Sequence, residues 1–455
     1  MRNSLKRQLF AGTVAVLSAA MATAVSAETL REALVSAYKN SGILQQQRAV
    51  LRAADEDVAA AVSTLRPVLN YAANIQYSSI SDSTTNSLRL SAGWDLFTFG
   101  NRKLDIALQK ELVLSARDQL VSVEQSVLSR AVNAFMNVRD AIAVVNLRDS
   151  NVRLISQELR AANDRFEVGE VTRTDVSLAE ARLAAARANF ATAQGDLAVA
   201  REEYRAAIGH LPKALSPPPQ VPSVPKSAGA ARDIARDTHP DLKAAQRAVT
   251  VRELALTRAK GAMKPTLSLD VARTFSDSSS SDGANAGLTL SGPIYSGGAI
   301  ASSVRKAVAE RDSARYALIV AGQNIDQAVA NAWVQRTVAL ANLTATQRQV
   351  RASRVAFQGV QEEASLGART TLDVLDAEQE LLDAQVSAIS AATGRYLASY
   401  ELLATMGLLT ADYLKLGIAT YDPAAYYNTV SKAPLTLVSP EGEKLDRVLK
   451  SLGKF

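Results

Sequence analysis

Phe166-Glu-Val-Gly-Glu-Val-Thr-Arg-Thr-Asp-Val176 returns 198 residues later as Ala364-Ser-Leu-Gly-Ala-Arg-Thr-Thr-Leu-Asp-Val374. Glycine, threonine and aspartate keep their spacing, and the same offset relates four further places. Arg66-Pro67 matches Lys264-Pro265, and Leu96-Phe97-Thr98-Phe99-Gly100 matches Ile294-Tyr295-Ser296-Gly297-Gly298. Asn133-Ala134-Phe135 matches Asn331-Ala332-Trp333, and Gly209 matches Gly407. One offset at so many separated places marks a duplication with no insertion between Pro67 and Gly209. The first repeat occupies 28–210 and the second 229–408, with a connector over 211–228. Six of the thirteen prolines, from Pro212 to Pro225, stiffen that connector. The tail, 409–455, has no counterpart in the first copy and is expected to pack irregularly or be partly disordered.

Outward from the quoted turn, residues 101–168 contain neither glycine nor proline. Leu120, Val123, Val127, Ala131, Ala134, Val138, Ala141 and Val145 recur there every three or four residues. The pattern predicts a helix of roughly 100 Å at about 1.5 Å per residue. Gly169 breaks it, and Val176, Ala179, Leu183, Ala186, Phe190 and Ala193 carry the rhythm into a helix over 174–208. The second copy predicts helices over 299–366 and 371–406, with Gly322 and Gly359 as points of bending. Small residues along the seam let neighbouring helices approach closely, as in a coiled coil.

Each repeat opens with a short helical stretch that Pro67 or Pro265 ends. Alternation follows. Leu69, Tyr71, Ala73, Ile75 and Tyr77 oppose Asn70, Asn74 and Gln76, and after a polar loop Leu88, Leu90, Ala92, Trp94 and Leu96 oppose Arg89, Ser91 and Asp95. Leu267, Leu269, Val271 and Phe275, then Ala286, Leu288 and Leu290, repeat this in the second copy. Strand hairpins are therefore expected over about 67–98 and 265–296. Strands of about ten residues are long enough to cross a bilayer when tilted. From the strands alone, a soluble hairpin with one wet face explains the pattern equally well.

Arg2, Lys6 and Arg7 precede an apolar run from Leu9 to Val25, and Val25-Ser26-Ala27 sets small residues before Glu28. Residues 1–27 read as an export signal peptide. Its removal takes the formal charge from +6 to +3, which gives nucleic-acid binding no support. The chain has no cysteine, which excludes disulfides, thiolate metal sites, thiol nucleophiles and an acylated N-terminal cysteine. No later run of about 18 apolar residues suggests a transmembrane helix. Such a chain is periplasmic, secreted, or an outer-membrane β-barrel. Four strands cannot close a barrel, for which about eight is the practical minimum, and a sheet in lipid must close. If the strands span a membrane, several copies must therefore assemble, and three would supply twelve strands.

No phosphate-cradling loop, His–carboxylate metal pattern or nucleophile elbow is present. No catalytic residue, metal or cofactor is expected, and His210 and His239 read as surface or capping residues.

The two quoted turns, together with Pro293-Ile-Tyr-Ser-Gly297-Gly298 at a strand-to-helix corner, give the chain its resemblance. Over nearly the whole mature length it resembles the TolC family of trimeric outer-membrane export ducts, the outer membrane efflux protein family. The resemblance implies an α+β membrane protein of the Gram-negative outer membrane with a periplasmic extension. Its homotrimer would form a twelve-stranded β-barrel, four strands per chain, continued by a long α-helical barrel of coiled-coil hairpins. It implies a passive duct, not an enzyme, serving type I protein secretion or multidrug efflux. Partners would be a periplasmic adaptor (membrane fusion) protein, an inner-membrane transporter, outer-membrane lipid, and the exported drugs or polypeptides.

In that family acidic rings narrow the entrance, and by motif those acids fall on Asp373 and Asp376. Three-fold repetition would place six carboxylates around one opening, favouring cations and raising their own pKa by repulsion. Arg369 matches the family's tip arginine, with Thr174 and Asp175 as its partners on the neighbouring hairpin. Gly169, Thr172, Gly367 and Thr370 fit the tip turns that dock adaptors. One departure stands out: the family's best-known gate has a tyrosine where this chain has Ala364, so the latch between hairpins is weaker or differently built. Without the resemblance, Asp373 and Asp376 read as a solvated helix face beside Glu378 and Glu380, and Gly169 and Gly367 as plain helix caps. A structural coiled coil of the periplasm or cell surface would explain the helices but not two alternating hairpins at one repeat offset.

Overall fold

The computed structural model describes residues 27–80, 82–277 and 282–436, with isolated positions at 443, 447 and 451. All but the last residue of the expected signal peptide, and most of the tail beyond 436, lie outside the described residues.

The chain divides into two compact units. One comprises Gly42–Val127, Ser223–Arg336 and Glu401–Phe455, and it holds the sheet. Strands β1 (Val68–Ser78), β2 (Ser83–Phe97), β3 (Thr266–Ser276) and β4 (Gly283–Ser291) are all antiparallel, in the order β1-β2-β3-β4. Each repeat contributes one hairpin, and β2 and β3 join the two. Ser78 pairs with Ser83, so the first hairpin turns far more tightly than the polar stretch 78–87 suggests. The register aligns apolar residues across strands: Leu69, Ala92, Val271 and Ala286 form one row. Leu69, Tyr71 and Ile75 remain about four-fifths exposed on this face. No helix among the described residues is long and apolar enough to cross a membrane.

Helices α1 (Leu30–Asn40) and α2 (Gly42–Ser63) precede β1, so the first repeat opens with two helices rather than one. The second repeat likewise opens with α5 (Ala228–Thr238) and α6 (Pro240–Gly261). The breaks have local causes. Pro240 forces the residue before it out of the helical region, and His239 adopts extended geometry and caps α6 by accepting from the Asp241 amide. The long helices are α3 (Asn101–Glu167) and α7 (Ala299–Ser365), each 67 residues and each contributing to both units. Gly322 and Gly359 lie inside α7 without interrupting it. Shorter helices α4 (Arg173–Ile208) and α8 (Thr371–Thr405) return from the quoted turns.

The duplication extends to single hydrogen bonds. Asn40 Nδ2 donates to the Ile208 carbonyl at 3.1 Å, and 198 residues on Thr238 Oγ1 donates to the Met406 carbonyl at 2.6 Å. The glycine that follows each carbonyl residue, Gly209 or Gly407, has positive φ and sits against Asn40 or His239. A side chain there would collide at under 3 Å, so both the left-handed turn and the close approach require glycine.

The described part of the tail packs on the helices. Leu409, Ala411 and Leu416 are buried, and α9 (Pro423–Val430) packs Tyr426 and Val430 against Ala59 of α2. Arg66, at the end of the same helical segment, donates to the Ala433 and Lys432 carbonyls at 2.6 and 2.5 Å. These bonds anchor the chain just beyond the last turn of α9 to the end of the helical segment before β1.

The second unit comprises Met1–Ser41, Leu128–Pro222 and Thr337–Tyr400. Here the connector is pinned at its start: Glu28 donates its amide to the Ala214 carbonyl at 2.7 Å and accepts from the Ser216 amide at 2.9 Å. The rest of this unit is helical hairpin, built on Ile155, Leu183 and Ala186 and on Ala162, Val176, Ala179 and Leu375. Leu375 belongs to the second repeat, so that cluster joins the two hairpins.

Candidate functional site

Both quoted turns fold alike. Gly169 and Gly367 each have φ of +79°, which lets the chain leave the helix in the left-handed conformation. The Gly169 amide then donates to the Phe166 carbonyl at 3.0 Å and the Glu170 amide to Arg165 at 2.9 Å. The Gly367 and Ala368 amides bond Ala364 and Glu363 in the same way. The returning helices start with reciprocal caps. The Thr172 amide donates to Asp175 at 2.9 Å, and the Asp175 amide donates back to the Thr172 hydroxyl at 3.3 Å. Thr370 and Asp373 repeat this at 2.9 and 3.2 Å. The Thr-x-x-Asp spacing therefore satisfies amides that a helix start leaves open.

The two turns line one groove of about 580 Å³, to which Arg165, Thr172, Asp175, Gly367, Arg369 and Thr370 contribute. Thr174 is exposed on the first turn of α4, and Asp376 is exposed on the first turns of α8. Within the protomer Arg369 pairs with Glu363 of its own hairpin at 2.8 Å, rather than with Thr174 or Asp175. Asp376 pairs across the hairpins instead, with Arg182 of α4 at 2.5 Å.

Electrostatics at the turns run opposite to simple repulsion within one chain. The hydrogen bonds from Thr370, backbone first and hydroxyl second, hold the Asp373 carboxyl below its ordinary pKa. Thr172 does the same to Asp175. Both capping acids are thus held ionised by bonds within the chain rather than raised by repulsion.

Glu378, expected on a solvated face, is only 4% exposed. Its Oε1 accepts from Asn151 Nδ2 of α3 at 2.6 Å, and its Oε2 has no hydrogen-bond partner. Burial pushes its pKa up to about 7, the Asn151 bond and Arg182 opposing and Glu158 adding to the rise. The sequence does carry a signal for this: Val374, Leu375 and Leu382 are buried at helical spacing from position 378, so Glu378 falls on the apolar seam. Arg182 and Asn151 lack such a signal, since their partners lie 194 and 227 residues away. Ala364 is buried, and polar ties between the hairpins are formed by Arg182–Asp376 and Asn151–Glu378. Among the described residues no group of three or more His, Asp or Glu side chains is placed to hold a metal ion.

Known proteins share this architecture. The chain is 33% identical to outer membrane efflux protein BepC of Brucella suis biovar 1 over 443 residues, covering 95% of this chain and 96% of that one. It is 26% identical to outer membrane protein TolC of Escherichia coli K12 over 440 residues, covering 90% and 88%. Among solved structures, CusC superposes with a TM-score of 0.76 at 20% identity, covering 84% of this chain and 92% of that one, which establishes the fold. Residues 33–210 and 231–408 each match the family described as outer membrane efflux protein, one match per repeat. The chain therefore belongs to the outer membrane efflux protein family.

Proposed function

We propose that this chain is the outer-membrane duct of a tripartite export system, docked to a periplasmic adaptor and an inner-membrane transporter. Family membership supports an outer-membrane channel that moves cargo without chemistry. The carrying observation is the sheet: four antiparallel strands, two from each repeat, present one apolar exposed face and end in open edges at β1 and β4. Open edges are unsustainable in lipid, where no water satisfies the free N–H and C=O groups. A homotrimer with β1 of one protomer beside β4 of the next removes both edges and yields a twelve-stranded barrel. A purely structural coiled coil would leave the same apolar face in water.

In that assembly Asp373 and Asp376 form the constriction, with Arg369, Thr174 and Asp175 around it. Gly169, Thr172, Gly367 and Thr370 present the adaptor-docking turns. What supports this placement is the shared groove and the matched geometry of the two turns. Deleting the gene and scoring sensitivity to hydrophobic antibiotics alongside secreted polypeptides tests the function and sorts the cargo. Increased antibiotic sensitivity or loss of a secreted polypeptide, reversed by the intact gene, fits a duct, and no change in either contradicts it.

A further inference from the structure

One cation stands on the apolar face of the sheet. The row beside Leu69, Ala92, Val271 and Ala286 contains Tyr71, Leu90, Arg273 and Ala284, and Ala73, Leu88 and Phe275 follow. Arg273 is the single charged residue in these rows. Its guanidinium Nη2 lies 2.9 Å from Oδ1 of Asp282, immediately before β4, and its Cζ lies 4.8 Å from the centroid of the Phe275 ring. Both partners lie on the hairpin side of Arg273, so the side chain runs along the sheet toward the hairpin ends. Its Cα is three residues from the end of β3, about 10 Å at strand rise, a span that a snorkelling arginine largely covers. Asp282 pairs with the guanidinium through Nη2, and the Arg273 side chain remains 42% exposed. Leu69, Tyr71, Leu90, Val271 and Ala284 line a cavity of about 470 Å³ with Arg273 at its wall.

We propose that Arg273 and this groove bind a phosphorylated lipid of the outer leaflet, the guanidinium taking the phosphate and the groove an acyl chain. The inference rests on the outer-membrane reading, in which the hairpin ends opposite the periplasmic helices face the cell surface. A guanidinium fork matches phosphate geometry, and apolar surroundings strengthen the pairing. Asp282 holds the fork in place when no lipid is bound and competes with it.

The test is native mass spectrometry of the purified full chain in detergent, titrated with diphosphoryl lipid A, phosphatidylglycerol or inorganic phosphate. Saturable lipid A binding is expected, about ten-fold weaker in Arg273→Ala, as loss of a charge-assisted phosphate contact implies, and unchanged or tighter in Asp282→Asn. Phosphatidylglycerol should bind more weakly, and inorganic phosphate should not displace lipid A. Equal lipid A binding by wild type and Arg273→Ala overturns the proposal, as does equal or tighter phosphatidylglycerol binding or displacement by phosphate. Conductance of Arg273→Ala in planar bilayers separates the two levels. A conducting variant with unaltered lipid binding sinks only this inference, whereas a wild type that never inserts sinks the outer-membrane reading.

Discussion

Replacing Glu378 by glutamine should stabilise the joined hairpins at high pH and leave them unchanged at low pH. In an opened or unfolded segment the carboxyl ionises near its ordinary 4.5, while burial in the closed hairpins holds the proton until about 7. Below 4.5 both states carry the proton and nothing is lost. As pH rises from there, the open state releases its proton first, so the closed state loses stability, and the whole loss is present above 7. At about 1.4 kcal/mol per pH unit, the gap between 4.5 and about 7 sets an upper bound of about 3.5 kcal/mol. Glutamine keeps the shape and the acceptor for Asn151 but never ionises. Amide exchange read by mass spectrometry on peptides of α8 reports the opening directly. Comparing the two proteins at one pH cancels the intrinsic exchange rate. The expected result is equal exchange at pH 4 and up to about 300-fold slower exchange in Glu378→Gln at pH 8. A ratio that does not vary with pH would refute the assignment of a buried, proton-holding carboxyl.

Arg182→Ala removes an exposed ion pair, worth at most about 1 kcal/mol. Exchange at the starts of α4 and α8 should rise no more than about five-fold, and the difference should shrink in high salt. Thr172→Ala and Thr370→Ala each remove a helix cap, costing about 1 kcal/mol locally. The amides of Asp175 and Asp373 should lose protection, and serine at either position should restore it. Combining Asp373→Ala with Asp376→Ala should lower cation selectivity and weaken block by multivalent cations, and unchanged reversal potentials in a salt gradient would remove these acids from the constriction.

Much of this fold is legible because duplication preserves spacing. The matched Gly-x-x-Thr-x-x-Asp turns, the glycine-free run before Gly169 and the alternation through Tyr71 and Leu90 each show a physical period on the page. The break at His239 has its cause in Pro240, although a single helical stretch is expected there from the sequence. The helix around Tyr426 was not, since eight residues carry too little periodicity to distinguish it from loop. At the turns, the sequence marks which residues are special but not what they touch. Asp373 is occupied by Thr370 three residues away, a local bond implicit in the spacing. Asp376 finds Arg182 only because two repeats fold against each other, a contact no window of sequence contains. Arg273 shows a third case: alternation places it on the apolar face, where it interrupts the series from Val271 to Phe275.

The most direct test is electrical. The purified full-length chain, run as a heat-sensitive trimer and added to a planar bilayer, should give discrete, cation-selective conductance steps. A stable monomer that never conducts would contradict a duct closed by three sheets.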